Sequence, residues 1–427
     1  MKKLLLFAIV LAVVCMVNYG SAAGEINVLV WDDTLTVAVE SQLADFEAAT
    51  GIKVNFERIA TRSIVEKTAV SVTADSSQYD LVAIDEPYVP MFAKLMSTYE
   101  EWPAGKIFKK IGLDEVMPKA FEAGIWDGKN KGLPINGNIY VWMTRKDLIE
   151  EPANQKEFKA KYGYDLAVPQ TFEQLIQMGE FFKAKGGVFG FGPFTRKSEG
   201  VTCEALSYFQ AFGTTVLERK EGKYVVVLDK AKAVEAMNLY KKLMTFGPQG
   251  SGDWHHAERT AAFSQGQVFS MFQWPSIAPS NENAQESKVA GKILYSAPPA
   301  GPAGRAPVRG CWIIAIPNAS KNKAEAAEFA YWWGSNKSGK KLVEAGMTPV
   351  RVDLLTDPEL KKTRPWYDGI FESMKYAVSR PRFENYPEVS DIIQINWMAA
   401  ITGTATPEAA AEKIIADTQS VLKKYGY

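Results

Sequence analysis

The feature that most constrains the fold is the alternation of strand and helix patterns that begins near residue 26. Residues 26–31 (INVLVW) form an apolar run with the length and β-branching of a buried strand. A helical pattern at 36–50 ends before Gly51, and residues 52–59 alternate as a second strand. Residues 79–85 (YDLVAID) predict a third strand. Strands that alternate with helices predict an α/β fold with a mainly parallel sheet.

Residues 1–23 are predicted to be a cleaved secretory signal peptide. Lys2 and Lys3 precede the apolar run 4–17, and small residues occupy 21–23, with the cut expected after Ala23. This apolar core is too short for an ordinary membrane span. Lipidation of Cys15 is the less favoured alternative, because Val14 precedes it instead of a small residue. We expect an exported, periplasmic protein, with a membrane-anchored lipoprotein less favoured.

The length and the net charge of the chain limit the number of lobes and the kinds of partner that we expect. A chain of 427 residues exceeds what one hydrophobic core usually holds and suggests two lobes. The 49 basic and 49 acidic side chains balance, and loss of Lys2 and Lys3 leaves 47 against 49. This balance gives no reason to expect nucleic acid or an anionic membrane as a partner.

Cysteine and histidine usage indicates neither a metal nor a cofactor. Cys203 and Cys311 are interpreted as two buried free thiols, with a disulfide left open as the alternative. His255 and His256 are adjacent, so they cannot share one helix face as zinc ligands do. No zinc, phosphate-loop, dinucleotide or nucleophile-elbow motif is present, so we expect no catalytic residues.

Carboxylates follow two of the predicted strands. Asp32 and Asp33 come directly after the first strand, and Asp85 and Glu86 come at the end of the third. Ligands of parallel α/β sheets bind outside the carboxyl ends of the strands. Aspartates also serve in turns and as helix N-caps, so both interpretations stay open for each residue.

Three tryptophans lie at the ends of predicted elements beside polar residues: Trp254 (GDWHHAE), Trp274 (FQWPS) and Trp312 (RGCWII). Residues 268–272 predict a strand that Pro275 ends, which would deliver Trp274 to the rim of a cleft. Trp142, Trp332 and Trp333 fit a core instead. A sugar or polyol offers hydroxyls and flat C–H patches, which call for planar polar groups and aromatic faces.

Across the whole chain after residue 23, the order of elements resembles the extracellular solute-binding proteins of bacterial ABC importers, in the cluster that includes the maltose-binding proteins. The stretches that carry the resemblance are VLVWDD…LADFEAATGIKV, YDLVAID, GLPINGNIYVWMTRKDLI, TFEQLIQMGEFFKAKG, AAFSQGQVFSMFQWPS and GCWIIAIPNASKNKAEAAEFAYWWGS.

The resemblance implies a two-lobe fold, each lobe a mainly parallel sheet flanked by helices and joined by crossing hinge segments that close around a ligand. The expected N-terminal lobe is 24–136 plus 296–340, and the expected C-terminal lobe is 137–295 plus 341–427. The implied partners are a sugar or polyol and the permease subunits of an ABC transporter with a cytoplasmic ATPase. A monomer is expected.

The candidate ligand-binding residues combine strand-end acids, aromatic rings and planar polar groups. By family position, Trp274 matches an aromatic residue that stacks on sugar. The set is Asp32, Asp33, Asp85, Asn138, Arg196, Asp253, Trp254, Trp274, Gly310, Trp312 and Arg351, with Tyr140 and Arg380 as weaker candidates.

Two alternatives remain at this point. A polyamine or quaternary-amine binder would use several carboxylates with aromatic walls, and Asp32, Asp33, Asp85, Glu86 and Asp253 could supply them. An exported glycosidase would need two carboxyl groups roughly 5–9.5 Å apart, a geometry that sequence does not reveal.

Overall fold

The computed structural model describes residues 24–427, so the predicted signal peptide lies outside the described residues. The strands are β1 (Glu25–Trp31), β2 (Lys53–Ile59), β3 (Leu81–Asp85), β4 (Ile125–Trp126), β5 (Lys129–Asn130), β6 (Leu133–Pro134), β7 (Val141–Arg145), β8 (Leu217–Lys220), β9 (Lys223–Val226), β10 (Ser270–Gln273), β11 (Ile293–Ser296) and β12 (Trp312–Ala315).

The α-helices are α1 (Thr34–Glu40), α2 (Leu43–Thr50), α3 (Ile64–Ser71), α4 (Val89–Phe92), α5 (Pro118–Phe121), α6 (Lys146–Glu150), α7 (Pro152–Tyr162), α8 (Phe172–Lys185), α9 (Glu199–Ala211), α10 (Lys230–Met244), α11 (His256–Ser264), α12 (Ala278–Asn281), α13 (Lys323–Gly334), α14 (Asn336–Glu344), α15 (Val352–Leu355), α16 (Pro358–Thr363), α17 (Trp366–Lys375), α18 (Tyr386–Thr402) and α19 (Pro407–Lys424).

The larger sheet has the strand order β2-β1-β3-β12-β6. Strands β2, β1 and β3 are parallel, whereas β12 runs antiparallel to both of its neighbours. The apolar side chains of β1 and β3 are buried, as the continuous hydrophobic runs predicted. The three parallel strands therefore end at one edge of the sheet, with Trp31, Ile59 and Asp85 as their last residues.

The second sheet has the order β10-β7-β11, and its three strands alternate in direction. The expected α/β fold with two lobes is confirmed, but the expectation of a mainly parallel sheet in the second lobe is wrong for these strands. A strand covered on both faces is apolar throughout in either direction, so composition does not encode its orientation. Isolated parallel bridges do occur beside β10, where Phe189 bridges Val268 and Gly192 bridges Met271.

Three extended stretches lie side by side where the chain passes between the two sheets. Ile139 bridges Arg309, and Val308 bridges Val378. The Gly310 N–H donates to the Asn138 carbonyl at 2.9 Å, and the Arg309 N–H donates to the Val378 carbonyl at 3.1 Å. We call these stretches, residues 135–140, 306–311 and 377–383, the crossing segments.

Most predicted helix ends agree with the structure. Gly51 ends α2 with a positive φ of 72°, and the Thr171 hydroxyl caps α8 by accepting from the Gln174 N–H. The single helix predicted at 36–50 is wrong in one respect, since the chain breaks at Ser41 and forms α1 and α2. Within residues 24–427, no helix is long and apolar enough to cross a membrane.

Candidate functional site

The carboxyl edge of the larger sheet carries a stacked aromatic pair beside a carboxylate. Asp85, the last residue of β3, pairs in register with Trp312, the first residue of β12. Trp31, the last residue of β1, stacks on Trp312 with 4.3 Å between ring centroids and 18° between planes. Both indoles are almost completely buried. The strand ends thus bring a large apolar surface next to a charged group.

A second stacked pair, which we call the aromatic platform, consists of Trp274 and Tyr140. Their ring centroids are 3.9 Å apart and the planes differ by 15°. Pro275 begins a short 3₁₀ helix directly after Trp274, so the strand ends where the proline predicted. Tyr140 is fully buried and Trp274 is partly exposed, so the platform presents one indole face outward.

Gly310 provides the space in which the platform sits. A Cβ atom at Gly310 would lie 3.0 Å from Cη2 and Cζ3 of Trp274 and 3.0 Å from Nδ2 of Asn138. The neighbours that a side chain at Gly310 would meet are therefore the Trp274 ring and the Asn138 amide. Gly310 lies two residues before Trp312, the first residue of β12, so the platform and the Trp31–Trp312 pair are linked through one short stretch of chain.

Arg380 joins the two sheets at this place. Its guanidinium forms a bidentate ion pair with Asp85, with Nη1–Oδ2 at 2.9 Å, and also contacts Oε1 of Glu199 at 3.1 Å. Glu199 begins α9 and accepts further hydrogen bonds from the hydroxyls of Tyr386 and Ser390. Burial raises the pKa of the Asp85 carboxyl above its ordinary value of 3.8, although the Arg380 guanidinium acts in the opposite direction.

A second buried ion pair lies beside the first. Nε and Nη2 of Arg309 donate to Oε1 of Glu86 at 2.9 Å and 2.6 Å. Burial on its own would raise the pKa of Glu86, but the Arg309 guanidinium outweighs it and holds the pKa below its ordinary value of 4.5. Arg309 also donates to the Glu122 carboxylate and the Ser379 hydroxyl. Arg309 therefore ties a crossing segment to the end of β3.

The other two strand-end acids have local partners. Asp32 is exposed and forms an ion pair with Arg58 of β2. Asp33 is the N-cap of α1 and accepts from the N–H groups of Leu35 and Thr36, as the alternative interpretation predicted. Burial raises the pKa of Asp33 above its ordinary value of 3.8.

Arg196 and Asp253 are brought together, both in the second lobe. Nε and Nη2 of Arg196 donate to the Asp253 carboxylate at 3.1 and 3.2 Å, and Nη2 also donates to the Glu258 carboxylate at 2.9 Å. The Trp254 carbonyl accepts from the backbone N–H groups of Thr195 and Arg196. The pair and Trp254 thus form one cluster, in which Asp253 is exposed and the other two side chains are half-buried.

The structure does not bring Arg351 to the other candidates. Its nearly buried guanidinium is held by Asp353 at 3.0 Å and by Glu115 at 2.8 Å. Asn138, in contrast, lies in a crossing segment against Gly310, as described above. No group of three or more His, Cys, Asp or Glu residues that could hold a metal ion occurs within residues 24–427.

Sequence reasoning missed several polar members of this region and gave Arg380 little weight. Glu199 and Arg309 were not candidates, because their partners lie far along the chain: Arg309 is 223 residues from Glu86. Trp31 was assigned to a core strand. The signal that identified Trp274, a tryptophan as the last apolar residue before a polar turn, is equally present at Trp31.

Two sheets linked by crossing segments, with aromatic and charged side chains gathered where the strand ends meet those segments, define a two-lobe binding protein. The chain belongs to the family of bacterial extracellular solute-binding proteins, whose family model matches residues 41–364.

Individual relatives agree with this assignment. A probable amino-acid ABC transporter periplasmic-binding protein of Sinorhizobium fredii is 24% identical over 400 residues, which cover 90% of this chain and 86% of that protein. Maltose-bound MalE3 of T. maritima is 25% identical, with a TM-score of 0.75, covering 93% of this chain and all of that one. A ribitol-bound solute-binding protein of Agrobacterium radiobacter is 22% identical, also with a TM-score of 0.75, covering 93% and 98%.

Proposed function

We propose that this protein is the solute-binding component of a bacterial ABC import system and that it captures a neutral sugar or polyol between its lobes. Export to the periplasm, delivery to membrane permease subunits, a monomeric state and the absence of catalysis are parts of the same proposal. The proposed lobes are 24–136 plus 296–340 and 137–295 plus 341–427, which meet at the crossing segments.

The main support for a neutral ligand is that the candidate carboxylates already have partners within the protein. The five carboxylates that the sequence offered for a cation ligand are each engaged by a guanidinium or a helix end: Asp32 by Arg58, Asp33 by the α1 N-terminus, Asp85 by Arg380, Glu86 by Arg309 and Asp253 by Arg196. A polyamine would have to displace these partners. A neutral polyhydroxy ligand instead needs donors, acceptors and aromatic faces, all of which are present.

The proposed contact surface consists of the outer face of Trp274, the edges of the Trp31–Trp312 pair and the Asn138 amide. Ribitol and maltose, which the two solved relatives bind, are both neutral polyhydroxy compounds. The Sinorhizobium relative is described as a probable amino-acid ABC transporter periplasmic-binding protein, so amino acids are the alternative class of ligand. An amino acid would require one unpaired acid and one unpaired base in the cleft.

A thermal-shift panel tests the proposal, because a ligand that binds only the folded state raises the melting temperature. The panel contains maltose, alditols including ribitol, spermidine, glycine betaine and the standard amino acids. We expect shifts with sugars or alditols alone. Shifts confined to cations or to amino acids would overturn the choice of ligand, and release of aryl alcohol from aryl-glycosides would overturn the absence of catalysis.

A further inference from the structure

A fully buried ion pair in the second lobe joins α9 to α11, and α9 is also the helix to which the Tyr140 hydroxyl is bonded. Arg259 of α11 and Glu204 of α9 have no exposed surface, and Nη1 of Arg259 lies 2.8 Å from Oε2 of Glu204. The Tyr240 hydroxyl lies 2.9 Å from the other oxygen of Glu204. Replacing a buried pair by apolar side chains of similar size is often neutral or stabilising. Stability of the lobe therefore does not by itself account for two charges at this position.

The platform is bonded to the helix that carries Glu204 through the hydroxyl of Tyr140. This hydroxyl donates to the Gly200 carbonyl at 3.3 Å, one turn before Glu204 on α9. Burial, followed by the negative charge of Glu204, raises the pKa of the hydroxyl well above its ordinary value, while Arg259 acts in the opposite direction. The phenol is thus bonded to α9, which the ion pair joins to α11.

The guanidinium is itself held in one orientation. Phe194 covers it, with the ring centroid 5.0 Å from Cζ. Nε and Nη2 of Arg259 have no hydrogen-bond partner, so the contact with Glu204 is the principal polar constraint on the side chain. Burial alone would lower the pKa of Arg259, but Glu204 and the neighbouring tyrosines hold it above the ordinary value. Burial also raises the pKa of Glu204 above its ordinary value, and the Arg259 guanidinium opposes that shift. The short contact between Nη1 and Oε2 joins α11 to α9 at this position.

We propose that Arg259 and Glu204 are positioning residues for ligand binding: they fix the ring of Tyr140 and, through its stacking contact, the exposed face of Trp274. This inference rests on the proposed function, since it assigns a role to the same site. Neither residue touches the ligand. The ion pair allows fewer orientations than apolar side chains of the same size would allow at these positions.

The test compares the wild type with Arg259→Met/Glu204→Leu, which removes both charges and keeps the volume. We expect the double variant to melt within a few degrees of the wild type but to bind ribitol or maltose about tenfold more weakly. Near-ultraviolet circular dichroism of the stacked Tyr140–Trp274 pair should change in parallel. Arg145→Met/Asp147→Leu, an ion pair of the same lobe that does not contact the platform, is the matched control.

A second variant keeps the inference testable if the double variant does not fold. Tyr140→Phe removes only the hydroxyl that bonds the platform to α9, and we expect it to weaken binding about fivefold. Added to the double variant, Tyr140→Phe should have no further effect. Wild-type affinity together with an unchanged dichroism spectrum in either variant would overturn the positioning role.

Failure of the proposed function gives a different result. A wild-type protein that binds neither ribitol nor maltose contradicts the ligand class, yet the dichroism comparison still tests the positioning of Trp274, with Trp274→Phe as the reference spectrum.

Discussion

The indole ring of Trp274 lies parallel to the phenol ring of Tyr140, with their centroids 3.9 Å apart. One face of the tryptophan is therefore covered by protein, and its edge rests on Gly310. The opposite face is the one that we propose contacts the ligand, a role that would account for a tryptophan directly after the end of β10.

Replacing Trp274 by alanine should separate binding from folding. We expect affinity for the sugar or polyol to fall at least tenfold, about 1.4 kcal/mol, because the only free aromatic face of the platform is lost. The free energy of unfolding should fall by about 1–3 kcal/mol, reflecting the lost stacking on Tyr140 and the partial burial of the ring. Isothermal titration calorimetry and urea unfolding measure the two quantities.

Trp126→Ala is the control for that variant, because Trp126 is also partly buried but lies in the β4–β5 hairpin beside Arg219. It should leave affinity unchanged. A Trp274→Ala protein that unfolds while its folded fraction binds normally would show that Trp274 is a core residue.

Adding a methyl group at Gly310 should disturb the platform without touching a ligand. The new Cβ would lie 3.0 Å from two ring atoms of Trp274, and such overpacking costs about 1–3 kcal/mol. We expect Gly310→Ala to lower the melting temperature and weaken binding, and we expect the stability loss to shrink in a Trp274→Ala background, where only the contact with Nδ2 of Asn138 remains. Gly252→Ala, where a Cβ meets no atom within 4 Å, should be neutral. Additive losses in the combined variant would contradict the contact.

Local signals accounted for much of the fold. The apolar runs at β1 and β3, the left-handed Gly51 and the Thr171 cap were readable because each depends on a few neighbouring residues. The direction of β10 and β11 was not readable, since a strand that is apolar on both faces gives the same pattern in either orientation.

The site was less readable, because its charges pair over long separations. Asp85 was predicted as a strand-end residue, but its partner Arg380 is 295 residues away. Asp33 illustrates the opposite case: the sequence allowed both a ligand contact and a helix cap, and the side chain caps α1. A single sequence carries no signal for which distant arginine neutralises which acid.

The stability of the protein should fall in acid through Glu86. Its pKa is lowered in the folded state by Arg309, so the unfolded chain binds the proton more readily. The stabilisation is complete above about pH 4.5, the ordinary value, and is lost as the pH falls through the lower folded value. Glu86→Gln should cost about 3–5 kcal/mol near pH 7, because it leaves Arg309 buried without its partner.

Urea unfolding of both proteins between pH 3 and pH 7 measures this difference. The difference in the free energy of unfolding between wild type and Glu86→Gln should be largest at pH 6–7 and should decrease below pH 4.5. The contributions of the other titrating groups cancel in this comparison. A gap that stays constant across the range would contradict the lowered pKa.

Arg380 should act as a link between the lobes even without ligand, because it contacts Asp85 at the end of β3 and Glu199 at the start of α9. Arg380→Met removes the guanidinium that pairs with the carboxylates of Asp85 and Glu199, and it should lower the free energy of unfolding by about 3–5 kcal/mol. We expect a larger radius of gyration in small-angle X-ray scattering of the ligand-free variant. Arg380→Met/Asp85→Leu should regain most of the stability but keep the larger radius. An unchanged radius in both variants would mean that the crossing segments alone set the angle between lobes.

Cys203 and Cys311 should behave as protected free thiols. Both are buried and neither forms a disulfide, which agrees with the favoured interpretation of the sequence. Burial raises the pKa of Cys311 to about 12 and that of Cys203 well above its ordinary value, so the reactive thiolate is scarce at pH 8. Ellman's reagent should detect almost no thiol in the native protein at pH 8 and two per chain of residues 24–427 in 8 M urea. Absence of both thiols in urea, with their appearance only after reduction, would show instead that the two cysteines are joined.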